Sequence, residues 1–167
     1  TENQEPQEEK PSFKMDLYFW TQALIMALVF LILTFTLAGR VIGVIGSSMV
    51  PTLHEGDMLL LQSIGYTPQQ GDVVVLRKPS FMADPVVKRV IATEGQHVQV
   101  DYAAHCVYVD GVALDEPYIN EVMEDPYKSL MTVLDVVVPE GSIYVLGDNR
   151  NASSDSRHEL LGTVDTR

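Results

Sequence analysis

A serine, a lysine and one dense polar segment are the parts of this 167-residue sequence that could combine to do chemistry. Ser48 lies in residues 46–51, Gly-Ser-Ser-Met-Val-Pro, at the end of an apolar run. Pro51 fixes its own φ and pushes Val50 toward an extended conformation, so we expect a sharp turn just past Ser48. Such a turn can present a nucleophilic hydroxyl, although a serine there could equally only end a strand.

Lys88 is the candidate base for that serine. A strand period of two places it on the same face as Val86 and Val90. If that face is buried, loss of hydration disfavours the ammonium form, and it could lower the lysine pKa from about 10.4 to the roughly 7 to 8 that suits a general base. Val87 and Ile91 make the opposite face apolar too, so the pattern leaves both orientations of Lys88 open.

The third feature is the polar segment 147–157, which directly follows an apolar run. Asp155 and Arg157 could brace a site, and a serine hydroxyl such as that of Ser153 could orient a base. An exposed loop is the alternative interpretation, although loops on rigid scaffolds often carry function.

Other chemistries have less support. No spacing marks out a catalytic histidine among the four available, His54, His97, His105 and His158. No paired-histidine metal motif is present, and the single cysteine, Cys106, excludes an intrachain disulfide. The formal net charge is −12 and no cluster of Lys and Arg occurs, so we expect no nucleic-acid partner, no metal and no cofactor.

The elements that must position these residues fall into three parts. Residues 1–16 are polar and contain two prolines, which predicts a flexible tail. Residues 17–39 carry no charge, and a helix of that length spans about 34 Å, enough for a hydrocarbon layer of roughly 30 Å. We therefore predict a transmembrane helix, with a buried core helix as the alternative. The flanking charges of Lys10, Lys14 and Arg40 are too symmetrical to orient it.

Residues 40–167 predict one all-β domain, because short β-prone runs alternate with turn signals. Asp110-Gly111 is the strongest hairpin candidate, since it suits a type I′ turn. The predicted strands are Val41–Ile45, Met58–Gln62, Asp72–Leu76, Val86–Ile91, His97–Val100, Val107–Val109, Thr132–Val138 and Ile143–Leu146.

In this order behind an apolar anchor, the segments resemble type I signal peptidases of the Ser-Lys class, in the compact bacterial form with one membrane span. The residues that carry the resemblance are Ser48–Leu53, Gly71–Val75 with Pro79, Lys88–Ile91 with Glu94-Gly95, and Gly147–Arg157. The resemblance implies a mainly β domain of short, mostly antiparallel strands. It also implies a membrane-bound serine endopeptidase that cleaves signal peptides from exported preproteins after small residues of the Ala-x-Ala type.

Carried over residue by residue, the resemblance makes Ser48 the nucleophile and Lys88 its general base. Ser153 would orient the Lys88 amine, with Asp155 and Arg157 as a supporting pair. It further implies that five apolar residues wall the substrate pockets, namely Val44, Met49, Leu53, Val86 and Val87.

The resemblance also implies the partners and the location: preproteins, the lipid bilayer, and a bacterial plasma membrane with the β domain outside the cytoplasm. Gly46 departs from relatives that have a serine there as a second oxyanion donor. Relatives usually continue past the region of Arg167, so we expect a shortened C-terminal end. The alternatives are a soluble self-cleaving Ser-Lys repressor, against which residues 17–39 argue, and a membrane-tethered β domain that binds partners without catalysis.

Overall fold

The computed structural model describes residues 13–38, 40–62, 65–119, 121–124 and 131–166. Helix α1 spans Phe13–Ala38. Its stretch Phe13–Leu33 is long and apolar enough to cross a membrane and is not buried in the protein, whereas the core helix of a soluble protein would be covered. α1 begins before the predicted start at residue 17, because helical geometry can continue through the charged residues that precede the uncharged run. Residues 1–12 of the predicted tail, and Gly39, lie outside the described residues.

α1 and Arg40 belong to one compact unit, and the remaining strand residues belong to another. The strands are β1 (Arg40–Gly43), β2 (Met58–Leu61), β3 (Val73–Leu76), β4 (Val86–Thr93), β5 (His97–Asp101), β6 (Cys106–Val109), β7 (Val112–Ala113), β8 (Asp135–Val137), β9 (Ser142–Leu146) and β10 (Val164–Asp165). The predicted mainly β domain behind an apolar helix is confirmed. The two-residue strands β7 and β10 were not predicted, since so short a run has no readable period.

Within the described ranges the strands form three sheets: β1–β2, the four-stranded β10–β9–β4–β3 and the four-stranded β7–β6–β5–β8. Pairing within both larger sheets is antiparallel. At the β6–β7 hairpin, Asp110 and Gly111 have φ values of 52° and 78°, as a type I′ turn requires. The predicted two-residue turn therefore sets the register of this hairpin.

β4 and β9 lie at the centre of their sheet and face a separate apolar cluster on each side. In β9, Ile143 and Val145 belong to one cluster, while Tyr144 and Leu146 belong to the other. A strand buried on both faces has no polar alternation, which is why residues 143–146 of β9 and 90–92 of β4 are apolar runs. A rigid central pair results, and β4 carries Lys88 while β9 leads directly into segment 147–157.

Candidate active site

Ser48 lies in a tight turn that follows β1. We call residues 47–53 the catalytic turn, because they contain the candidate nucleophile. Inside it, Val50 N–H donates to Ser47 O at 3.2 Å and Leu53 N–H donates to Met49 O at 2.9 Å. Met49 is buried and anchors the turn, whereas Ser48 is half-buried and can be reached. The predicted sharp turn past Ser48 is therefore present in the structure.

Lys88 Nζ lies 2.8 Å from Ser48 Oγ. The amine also donates to Val87 O at 2.9 Å. Only 3% of Lys88 is exposed, and Val90, two residues further along β4, is fully buried. Of the two orientations that the sequence left open for Lys88, the structure has the buried one.

Burial lowers the pKa of Lys88, and the nearby carboxylates of Asp155 and Asp148 oppose that effect without cancelling it. The physical cause is the cost of placing an ammonium group where water cannot solvate it. A larger fraction of Lys88 is consequently neutral near pH 7 than of an ordinary lysine. A neutral amine within hydrogen-bond distance of a serine hydroxyl can accept its proton.

Asp155 and Arg157 form an ion pair that is completely buried. Arg157 Nε and Nη2 each lie 2.8 Å from a carboxylate oxygen of Asp155. Burial by itself would raise the pKa of Asp155, but the Arg157 charge and the hydrogen bond from Gly147 N–H hold it below its usual value. Since Arg157 also donates to Arg150 O, the pair fixes the course of segment 147–157 behind Ser48.

This segment reaches the catalytic turn through its main chain. Asn149 N–H donates to Ser48 O at 3.0 Å, and Asn149 Nδ2 donates to Ser47 O at 3.2 Å. Val145 N–H donates to Ser156 Oγ and Ser156 N–H donates to Val145 O, so the far end of the segment is tied back onto β9. Ser48 is thereby bound to segment 147–157, and that segment is bound to β9.

Ser153 is buried at the same place, but its role stays a prediction. Its hydroxyl is near enough to Asp155 to help lower the pKa of that carboxyl. Within the described part of the chain, however, Ser153 Oγ has no hydrogen bond of accepted geometry, to Lys88 or to any other group.

Gly147 marks the tightest packing in the site. A Cβ on this residue would lie 2.5 Å from Ser48 O and would also collide with Ser153 Oγ. Backbone cannot yield cheaply, so we expect Gly147→Ala to push Ser48 away from Lys88. A displacement of about 1 Å can lower the rate about 10²-fold, and overpacking costs about 1 to 3 kcal/mol of stability.

Kinetics of the predicted endopeptidase activity and urea unfolding of Gly147→Ala measure these two effects. Gly43→Ala serves as the stability control, because its added Cβ meets only Met58 Sδ at 3.9 Å. A Gly147→Ala protein that cleaves at the wild-type rate would show that the catalytic turn adapts freely.

Several residues to which the sequence had assigned no role complete the surroundings. Arg89 donates to both carboxylate oxygens of Asp148, at 2.8 and 2.6 Å. Thr52 Oγ1, in the catalytic turn, donates to Asp148 at 2.5 Å. The sequence offered two signals: Arg89 is a charged residue next to Lys88 in an apolar strand, and Asp148 lies at the start of a polar segment. No local pattern indicates that these two residues pair.

The five predicted pocket residues are buried or half-buried in the structure. Val86 packs against the apolar cluster that includes Val90 and Leu161. A cavity of about 640 Å³ lies elsewhere, on the sheet that contains β5, β6 and β8, and none of the five lines it. The assignment of Val44, Met49, Leu53, Val86 and Val87 to substrate pockets stays a prediction.

Gly46 has a φ of 86°, in the left-handed region that favours glycine. No atom lies within 4 Å of the position that a Cβ would take. Backbone conformation, rather than lack of room, is therefore the reason for glycine here. A side-chain oxyanion donor at residue 46 would require a strained backbone.

Comparison with known proteins gives consistent matches. A family model described as signal peptidase, peptidase S26, matches residues 17–167. Probable signal peptidase I-1 of Synechocystis sp. is 40% identical over 119 residues, which cover 65% of this chain and 57% of that protein. Signal peptidase I of Bacillus licheniformis is 32% identical, and the match covers 96% of this chain and 88% of that protein. Signal peptidase IB of Staphylococcus aureus is 33% identical, and the match covers 91% of this chain and 84% of that protein.

A solved structure, that of a signal peptidase I from Enterococcus faecalis, is 31% identical. The superposition covers 60% of the present chain and 91% of the Enterococcus faecalis chain, with a TM-score of 0.48.

Proposed function

The chain belongs to the signal peptidase family, peptidase S26, and is a type I signal peptidase of the serine class; we propose that it works through a Ser48–Lys88 dyad. Ser48 would be the nucleophile and Lys88 the general base. The observation that carries the proposal is the 2.8 Å separation between Ser48 Oγ and a lysine amine that is buried.

In the proposed reaction, neutral Lys88 takes the proton of the Ser48 hydroxyl as Oγ attacks the scissile carbonyl carbon. Main-chain N–H groups beside Ser48 stabilise the oxyanion of the tetrahedral intermediate. The Lys88 ammonium then gives its proton to the leaving amine, and the mature protein departs. Lys88 next takes a proton from a water molecule whose oxygen attacks the acyl carbon. The ester bond to Ser48 then breaks, the Lys88 ammonium returns the proton to Ser48 Oγ, and the signal peptide is released with a free carboxylate.

Asp155 and Arg157 would support this chemistry by fixing segment 147–157, and Ser153 by orienting the Lys88 amine. No histidine is needed, and within the described residues Ser48 makes its side-chain hydrogen bond with Lys88. Described residues also include no group of three or more His, Cys, Asp and Glu placed to hold a metal ion.

We further propose that substrates bind as an extended strand between residues 41–46 and 84–88, with small residues of the Ala-x-Ala type in shallow pockets. The substrates would be exported preproteins, and nucleic acid would have no part. The N-terminal helix is a candidate membrane span. The proposed location is the bacterial plasma membrane, with residues 40–167 outside the cytoplasm, where the anchor raises the effective concentration of the site near emerging signal peptides.

The non-catalytic alternative is less consistent with these observations. A β domain that only binds partners would have a charged, solvated Lys88, whereas this lysine is 3% exposed and its pKa is lowered.

Cleavage-site selection tests the proposed function. We expect the detergent-solubilised protein to cut a preprotein after an Ala-x-Ala site, as mapped by mass spectrometry. Replacing the alanine before the cut with phenylalanine should lower kcat/KM by about 10²-fold or more, because a small apolar pocket rejects the larger side chain. Ser48→Ala protein is the blank, and Ser80→Ala, at an exposed serine elsewhere, is its matched control. Equal cutting by Ser48→Ala would refute the proposal.

A further inference from the structure

The loop after β7 crosses the two arginines that adjoin the catalytic residues. We call residues 114–119 the strap. Its Leu114 N–H donates to Val107 O at 2.9 Å, which ties the start of the strap to β6. Two strap residues, Glu116 and Tyr118, then reach toward Arg150 and Arg89. These contacts join the strap to both sides of the site.

The first arm runs from Glu116 to Gly147. Both carboxylate oxygens of Glu116 bind the guanidinium of Arg150, at 2.6 and 2.7 Å, and the two side chains are 7% and 1% exposed. Arg150 Nε donates to Gly147 O at 3.0 Å. Gly147 is the residue packed directly against Ser48 and Ser153. The bidentate pair thus holds the backbone that lies behind the nucleophile.

The second arm runs from Tyr118 to Thr52. The Arg89 guanidinium carbon lies 4.1 Å from the centre of the Tyr118 ring, a cation–π contact. One face of the Arg89 guanidinium lies on this ring, and its edge donates hydrogen bonds to Asp148. Asp148 also accepts a hydrogen bond from Thr52 in the catalytic turn. The Tyr118 hydroxyl donates to Glu116 at 2.9 Å, so the two arms are joined. Burial is the main reason that the pKa of Tyr118 is raised, and the negative charge of Glu116 adds to the effect. The phenol therefore keeps its proton and stays a hydrogen-bond donor at neutral pH.

We propose that Glu116 and Tyr118 are positioning residues for the catalytic turn. They act through two arginines, Arg150 and Arg89, and neither needs to touch the substrate. The proposal rests on the Ser48–Lys88 function proposed above. It adds that the loop after β7, in the β7–β6–β5–β8 sheet, sets the alignment of nucleophile and base.

One consequence separates positioning from mere stability. Lys88 faces the carboxylates of Asp148 and Asp155, which are balanced by Arg89 and Arg157 respectively. If Tyr118 no longer holds Arg89, the charge of Asp148 is less well compensated, and it favours the ammonium form of Lys88. The acid limb of the rate profile then moves to higher pH, whereas a simple loss of folded protein would scale the profile without moving it.

The test uses the full chain in detergent, with a peptide that contains an Ala-x-Ala site. For Tyr118→Leu we expect kcat to fall about 3- to 30-fold at nearly constant KM, with the acid limb shifted upward. Tyr118→Phe keeps the ring face and should recover most of kcat. Tyr108→Leu, the same change at a half-buried tyrosine on β6, should leave kcat and KM unchanged. Near-UV circular dichroism gives the folded fraction by which each kcat is divided.

Wild-type kcat and an unmoved acid limb in Tyr118→Leu would overturn the inference, and so would an equal loss in Tyr108→Leu. If Tyr118→Leu yields no folded protein, Tyr118→Met takes its place with the same two readouts. The proposed function fails separately: it falls if Ser48→Ala still cleaves, whatever the Tyr118 variants do.

Discussion

Lys88→Met is expected to abolish cleavage while the protein stays folded. Methionine matches the length of the lysine side chain and suits its buried position, but it cannot accept the Ser48 proton. Loss of a general base lowers the rate by at least about 10²- to 10⁴-fold, and Ser48→Ala should be equally inactive. A gel or mass-spectrometric assay with a preprotein bearing an Ala-x-Ala site measures the loss.

The same substitution at Lys78 is the matched control. Lys78 Nζ donates to Leu161 O and has no contact with Ser48 among the described hydrogen bonds, so Lys78→Met should cleave at close to the wild-type rate. Cleavage by Lys88→Met within tenfold of wild type would mean that another group serves as the base. A histidine substitution that alone abolished activity would point to that group.

Stability should respond to Lys88→Met in a pH-dependent way. Because the folded pKa of Lys88 is lowered, the unfolded chain binds more protons between that pKa and about 10.5, and stability rises with pH across this window. Below the lowered pKa, wild type bears the full cost of a buried ammonium, which methionine avoids. We therefore expect the variant's melting temperature to equal or exceed that of wild type at neutral pH. This advantage should shrink as the pH approaches 10.5. A fully exposed lysine would give no such trend.

Asp155→Asn is expected to cause the largest loss of stability, about 3 to 5 kcal/mol, because it leaves the buried charge of Arg157 without a partner. A domain with a typical total stability of about 5 to 15 kcal/mol would be close to unfolding. Urea unfolding at neutral pH measures the difference. The cleavage rate should fall as well, because the ion pair shapes the segment that contacts Ser48 O.

Acid should remove this difference. The folded pKa of Asp155 is lowered, so its contribution is present in full above its unfolded pKa of about 3.9 and is lost as the pH falls through the folded value. Wild type and Asp155→Asn should therefore converge in strong acid. A gap that persists unchanged at the lowest pH would contradict the ion-pair explanation.

Two controls sharpen the measurement. Asp135→Asn breaks an exposed pair with His97 and should leave stability unchanged. Replacing both Asp155 and Arg157 with leucine removes the unpaired charge, and this double variant should be more stable than Asp155→Asn. If the double variant is the less stable of the two, hydrogen bonding by the pair matters more than charge balance.

The amino-acid sequence by itself determined the features that depend on neighbours in the chain. An uncharged run at residues 17–39 indicated an apolar helix, and short apolar runs between turn residues indicated the β domain. Asp110-Gly111 specified its hairpin, since both residues tolerate a positive φ. Ser48 and Lys88 could be selected as candidates because the local pattern around each of them, and its resemblance to a family, can be read from neighbouring residues.

Tertiary structure alone decided which chemical groups meet. A period of two states that Lys88 shares a face with Val90, but what covers that face depends on strands that are distant in the sequence. The pairing of Arg89 with Asp148 joins residues 59 positions apart, and no local preference encodes it. Tyr118 had no signal at all in the sequence, because a cation–π contact arises only when the packed sheets bring its loop across Arg89. Burial and long-range contact are properties of the packed chain, and they turn a serine and a lysine 40 residues apart into a candidate dyad.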